Sequence, residues 1–136
     1  MRPLLVLLSA LSLATCGGDP GPKYTLKVVM AEVELKRAAM ERALLRDGGA
    51  PDVVEAAVAI EKWLKDPAKE RYLASDAATG TPAQFASFEA SFLPRLEAVL
   101  AAARSGDEQA AREAFPALQA GCNACHVVFR PDLASR

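Results

Sequence analysis

Apolar residues recur every three or four positions along four stretches of the chain, and this spacing predicts four amphipathic α-helices. The first helix is predicted from about residue 24 to residue 46, because no glycine or proline interrupts it and Gly48 and Gly49 follow it. Arg37 interrupts its apolar stripe. The stripe otherwise consists of Met30, Val33, Met40 and Leu44.

The second predicted helix opens at Pro51 and ends before Pro67, because proline disfavours the helical conformation in the residue that precedes it. Its apolar face consists of Val53, Ala57, Ile60 and Leu64. Residues 66–80 form a long connection whose composition indicates no firm element.

The third predicted helix has a clear start. Thr81 is its N-cap, proline occupies the first helical position, and Gln84 completes a capping box. The helix continues to Gly106, and Pro94 inside it predicts a kink rather than a break. Its apolar face consists of Phe85, Phe88, Phe92, Leu96 and Val99.

Asp107 caps the fourth predicted helix, which Pro131 ends. One unbroken heptad-like face runs along it and consists of Ala111, Phe115, Leu118, Cys122, Cys125 and Phe129. Four amphipathic helices with mostly short connections predict an all-α fold, an antiparallel up-down-up-down four-helix bundle over residues 23–136.

The composition and net charge of the chain argue against several classes of function. The chain is 51% hydrophobic and only 6% aromatic, which suits closely packed helices better than strands. A formal net charge of -1 and the lack of a basic stripe argue against a nucleic-acid partner. The chain contains one histidine and no hydrolase triad, so we expect no enzyme activity. The carboxylates of Glu32, Glu34 and Glu41 are interpreted as a solvated helix face.

Residues 1–15 are typical of an export signal, with Arg2 before an apolar stretch that is too short to span a bilayer. The sequence before Cys16 resembles a bacterial lipobox, although threonine just before the cysteine is unusual, and it predicts lipidation of Cys16. Ordinary signal cleavage that leaves a free thiol is the alternative. Residues 16–22 are then a flexible tether, and the protein faces the periplasm of a bacterium as an anchored lipoprotein.

Cys122, Cys125 and His126 form the Cys-x-x-Cys-His pattern of c-type haem attachment. The spacing suits the chemistry, because one helical turn brings two thiols to the vinyl groups of neighbouring pyrroles. Each thiol adds across one vinyl group as a thioether, and the imidazole of His126 is placed to take the iron as proximal ligand. The pattern predicts one covalent haem c per chain.

Three other interpretations of the motif are weaker. A structural zinc site needs four ligands, whereas Cys16 and the motif supply every cysteine and histidine in the chain. A thioredoxin-like redox pair follows a strand in a βαβ unit, and no such pattern precedes Cys122. A plain disulfide would leave the adjacent histidine unexplained.

An exported four-helix protein that carries Cys-x-x-Cys-His-x-x-Phe-Arg at residues 122–130 resembles the cytochrome c prime family. The resemblance extends from about residue 24 to residue 130 and is specific only at this motif. It implies haem c on Cys122 and Cys125, with His126 as proximal ligand and Arg130 as the basic residue close to the imidazole. A cation at a helix C-terminus is an equally good account of Arg130.

The family includes high-spin proteins with an open distal site and low-spin relatives with methionine as the sixth ligand. In the bundle, the start of the first helix lies beside the end of the fourth, so Met30 is at the height of His126 while Met40 is ~15 Å further along. Position along the bundle axis therefore favours Met30 as the distal metal ligand. Val29 is the alternative distal neighbour.

The resemblance favours a one-electron carrier that serves redox partner proteins. The alternative is a five-coordinate haem protein that binds nitric oxide or carbon monoxide, and a lipoprotein that only binds a partner is a third hypothesis. The family often forms antiparallel dimers, so a homodimer is possible, but rows of alanine on the first two helices are compatible with either a monomer or a dimer.

Overall fold

The computed structural model describes residues 26–66 and 81–129, and within these residues the chain forms four α-helices and no strand. The helices are α1 (Leu26–Leu44), α2 (Ala50–Leu64), α3 (Pro82–Arg104) and α4 (Glu108–Phe129). Each helix packs against the next along the chain, and α1 meets α4 through a smaller set of residues. The predicted antiparallel up-down-up-down bundle is confirmed.

The helix ends are set by the residues that the sequence identifies as caps. The hydroxyl of Thr81 accepts the backbone N–H of Gln84 at 3.2 Å, while the side-chain oxygen of Gln84 accepts the backbone N–H of Thr81 at 2.8 Å. Asp107 accepts the N–H of Ala110 at 2.9 Å. Gly48, just beyond α1, has φ 73°, a left-handed conformation that glycine adopts without strain.

Pro94 lies inside α3, which runs without a break from Pro82 to Arg104. The predicted continuity of this helix is therefore confirmed. Continuity matters for the position of the site, because Phe85 before Pro94 lines a cleft, while Leu96 and Val99 after it are buried in the core.

All four helices contribute to the core. The largest fully buried side chains are those of Met40, Ile60, Leu96, Leu118, Val29, Val53 and Val99. In the described part of the chain no polar or charged residue is buried, and no buried side-chain nitrogen or oxygen lacks a hydrogen-bond partner. The bundle is thus held mainly by apolar burial, with the polar groups on its surface and at its ends.

At the end of the bundle where α1 finishes and α4 begins, one arginine ties the two helices together. The Nε of Arg112 donates to the carbonyl oxygen of Leu44 at 2.6 Å, and its Nη2 donates to that of Arg46 at 3.3 Å. The same Nη2 lies 3.3 Å from Glu108 and 3.6 Å from Asp47. We call this group the Arg112 latch. It satisfies carbonyl oxygens that the end of a helix leaves without an intrahelical partner.

Several predictions concern residues outside the described ranges. These are the signal at residues 1–15, Cys16 and the tether at residues 16–22, residues 67–80 of the long connection, and Arg130. Among the helices in residues 26–66 and 81–129, none is both long and apolar enough to cross a membrane.

Candidate haem site

A cleft opens at the end of the bundle opposite the Arg112 latch, where α1 begins and α4 finishes. It contains about 560 Å³ of empty space, including the part that is open to solvent. All four helices line it. Its lining residues are Met30, Val33, Glu34, Leu64, Phe85, Phe88, Glu89, Phe92, Gly121, Cys122, Cys125 and His126.

The α4 wall of the cleft carries the whole attachment motif. Cys122, Cys125 and His126 lie within one turn of the same helix, all three are partly buried, and all three line the cleft. The two thiols are not joined in a disulfide. The structure therefore places two sulfurs and one imidazole against a single cavity, as covalent attachment and proximal ligation both need.

Burial raises the pKa of the Cys122 thiol to about 11, with the guanidinium of Arg37 opposing the rise and the carboxylate of Glu34 adding to it. Burial alone raises the pKa of Cys125 to about 11. Both thiols are thus protonated at neutral pH. A catalytic dithiol needs a lowered pKa, so these values argue against the redox-pair interpretation of the motif.

Aromatic rings form the α3 wall and hold the end of α4 against it. The ring of Phe129 meets the ring of Phe85 edge-on, with centroids 5.8 Å apart, and meets that of Phe88 in the same way at 6.0 Å. Phe85 and Phe88 also line the cleft. Phe85 and Phe88 therefore have two roles. They pack against the last turn of α4, and they present an apolar surface to the cavity.

Gly121 brings α4 close to α3 just before the first attachment cysteine. A Cβ at this position would lie 3.2 Å from Cδ2 of Phe92 and 3.3 Å from Nη1 of Arg95. Arg95 also donates a hydrogen bond to the carbonyl oxygen of Ala117 at 3.2 Å. Any larger residue at position 121 would push against the cleft wall, so glycine lets the motif sit deep against α3.

On α1, the structure separates the two residues that the sequence left as distal neighbours. Met30 is partly buried and lines the cleft, whereas Val29 is only 1% exposed and belongs to the core. Met40 is fully buried in the core and does not line the cleft. The predicted positions of Met30 and Met40 along the bundle axis therefore agree with the structure, and Met30 lines the same cleft as His126.

Glu34 is exposed, with 51% of its side chain accessible to solvent, as its interpretation as part of a solvated helix face predicts. It also lines the cleft one turn after Met30, and its charge adds to the rise in the pKa of the Cys122 thiol. Arg37, which interrupts the apolar stripe of α1, donates to both oxygens of Glu34, at 2.9 Å and 2.7 Å. The four-residue spacing from Met30 was the signal in the sequence that placed Glu34 on the Met30 side of the helix.

Trp63 also lies near this end of the bundle, where it packs partly buried against the core. The neighbouring Leu64, rather than Trp63, lines the cleft. Trp63 therefore belongs to the packing around the core rather than to the wall of the cleft.

The residues present fit a haem. The cavity is largely walled by aromatic and aliphatic side chains, which suits a flat apolar macrocycle, and it collects two attachment thiols, one imidazole and one thioether. In the described part of the chain no group of three or more histidine, cysteine, aspartate or glutamate side chains is arranged to hold a bare metal ion. A haem iron needs only one or two protein ligands, because the macrocycle nitrogens supply the others.

Comparison with known proteins points the same way. The family model described as cytochrome c′ matches residues 50–130, more than half of the chain. The match includes α2, α3, α4 and the whole attachment motif. Neither the curated proteins nor the solved structures gave a significant match.

Proposed function

Because the chain belongs to the cytochrome c′ family, we propose that it is a periplasm-facing electron carrier with one covalent haem c. Membership of the family by itself implies a c-type haem protein that transfers electrons or binds small gases. The observation that supports electron transfer over gas binding is the position of Met30, which lines the cleft together with His126. When bound, haem c supplies a one-electron iron couple.

Each residue of the motif has a separate task in this proposal. Cys122 and Cys125 hold the cofactor through two thioethers, in which each S–H adds across a vinyl group and no oxidant or reductant is consumed. His126 would supply the imidazole that ligates the iron. Phe85 and Phe88 exclude water from one face of the cavity. Less solvent therefore has to reorganise when the charge of the site changes.

Met30 is the proposed sixth ligand. A thioether is a soft ligand that favours the reduced metal, so its binding raises the reduction potential above that of an open site. It also blocks the position at which a gas molecule would bind. The antiparallel order of α1 and α4 supports this pairing, since Met30 and Glu34 of α1 line the same cleft as Cys122 and His126 of α4.

Gas binding is the second candidate function, and the apolar, partly open cleft favours it. It requires a Met30 side chain that turns away from the iron. The absorption spectrum of the ferrous protein separates the two functions, because a carrier with two axial ligands is low-spin and a five-coordinate gas binder is high-spin. The spectrum of the wild-type protein is therefore the first measurement to make.

Covalent attachment has its own test. Protein made with the c-type maturation machinery is expected to weigh one haem more than the processed chain, and the added mass is expected to survive acid–organic extraction. Cys122→Ala and Cys125→Ala each leave a single thioether, and the double variant is expected to lose the covalent haem. A wild-type mass equal to that of the bare chain would contradict the proposed function.

We also propose that a lipid on Cys16 keeps the carrier beside membrane-bound redox partners. The lipobox-like sequence supports this, and several acyl chains hold a protein firmly where one chain does not. The same mass measurement on membrane-derived protein reports the acyl groups, which Cys16→Ser removes. Soluble wild-type protein of unmodified mass would show that the threonine before Cys16 prevents lipidation.

A further inference from the structure

Two carboxylates, Glu34 on α1 and Glu89 on α3, are among the described residues that line the otherwise apolar cleft. Because the site becomes more positive on oxidation, a negative charge beside it stabilises the oxidised form relative to the reduced form. Glu34 is the more informative of the two, because the structure shows how its charge is held in place.

Glu34 is held by a charged clamp. Arg37 donates from Nε and Nη2 to the two carboxylate oxygens at 2.9 Å and 2.7 Å, which is the bidentate geometry that fixes a carboxylate most firmly. From its Nη1, Arg37 donates to Glu41 at 2.9 Å. The side chain of Arg37 is only 15% exposed, so this cation is itself held between its two partners.

The clamp lies beside the attachment motif, because Glu34 lines the same cleft as Cys122 and His126. The charges of Arg37 and Glu34 act on the Cys122 thiol in opposite directions. Glu41 lies seven residues beyond Glu34, ~10 Å further along α1, and does not line the cleft. One anion of the clamp thus faces the cavity and the other does not.

We propose that Glu34 is a potential-setting residue: its carboxylate, fixed by Arg37 at the cleft beside Cys122, lowers the reduction potential of the site. The inference rests on the proposed function. Reduction adds one electron from a one-electron donor, in the test an electrode with small redox mediators, and removes one positive charge from the site. Glu34 therefore opposes reduction, and Arg37 favours it.

Because the two partners of one ion pair act with opposite sign, a matched set of variants tests the proposal. Glu34→Gln is expected to favour reduction about fivefold, from the interaction of unit charges across a site of intermediate dielectric constant. At 59 mV per tenfold change for one electron, this is a rise of about 40 mV. Arg37→Gln is expected to shift the potential in the opposite direction.

Two control variants separate this effect from damage to the fold. Glu41→Gln removes the same charge from the same clamp but away from the cleft, and it is expected to shift the potential by less than a third as much. Arg37→Lys keeps the cation and is expected to stay near the wild-type potential. Thermal unfolding of each variant, followed by circular dichroism, reports any loss of structure independently of the potential.

The outcomes distinguish this inference from the proposed function. Wild-type protein without covalent haem contradicts the proposed function itself. Haem-loaded protein in which Glu34→Gln and Glu41→Gln give equal shifts contradicts the role of Glu34 and leaves the electron-carrier proposal intact. Shifts of the same sign in Glu34→Gln and Arg37→Gln also contradict it, because they would indicate a general opening of the cleft.

Discussion

The two ends of the bundle use the same helices in opposite ways. At one end the Arg112 latch ties the finish of α1 to the start of α4, and Met40 lies fully buried nearby on α1. At the other end the same pair of helices borders a cleft, and Met30 lines that cleft with His126. Met40 thus packs in the core, whereas Met30, ~15 Å away along the same helix, is a candidate ligand.

This difference shows how a small bundle makes room for a cofactor. A helix pair that packed tightly along its whole length would leave no cavity, because protein interiors are close-packed. Here Arg112 joins α1 to α4 at one end, and the apolar surface at the cleft end is left for another molecule to cover. We therefore expect substitutions at the latch end to change stability and those at the cleft end to change the cofactor.

The largest effect on stability is expected at Met40. Met40→Ala removes a fully buried side chain and is expected to lower the free energy of unfolding by about 2–5 kcal/mol, as for other large-to-small changes in cores. Denaturant titration measures this loss. The volume-conserving control Met40→Leu is expected to cost less than about 1.5 kcal/mol. A change in the axial-ligand spectrum of Met40→Ala would contradict the division between the two ends.

A smaller loss is expected at the latch. Arg112→Ala leaves the carbonyl oxygens of Leu44 and Arg46 without their side-chain donor, and a hydrogen bond from a charged group contributes about 1.5–3 kcal/mol. Because Arg112 is partly exposed, we expect the lower part of that range from denaturant titration. The exposed Arg104 gives a matched control, and Arg104→Ala is expected to stay within about 0.5 kcal/mol of wild type. Equal losses in the two variants would show that the latch adds no stability.

The smallest loss of stability and the largest change of spectrum are expected at Met30. Its side chain is only partly buried, so Met30→Ala removes less packing than Met40→Ala. If its sulfur is the sixth ligand, the variant becomes high-spin and binds carbon monoxide readily. Absorption spectra of the ferrous protein with and without carbon monoxide measure both effects. An already high-spin wild type would favour the gas-binding function instead.

Much of the molecule follows from local patterns in the sequence. The four helices, the capping box at Thr81 and the cap at Asp107 were predicted within a few residues, because each depends on neighbours along the chain. The attachment motif belongs to the same class of feature. Its three residues lie within five positions of one helix, so their mutual geometry is fixed as soon as that helix forms.

The other walls of the cleft were decided by the tertiary structure. Val29 and Met30 are adjacent in sequence, and only the rotation of α1 against its neighbours sends the valine into the core and the methionine into the cleft. Glu34 lies on the exposed side of α1, as predicted, but its position beside the cleft depends on the same rotation. The close approach at Gly121 depends on Phe92 and Arg95 of another helix, and the Arg112 latch joins residues more than sixty positions apart. The periodicity of apolar residues predicts which side of each helix is apolar. It does not predict which residues of the other helices that side contacts.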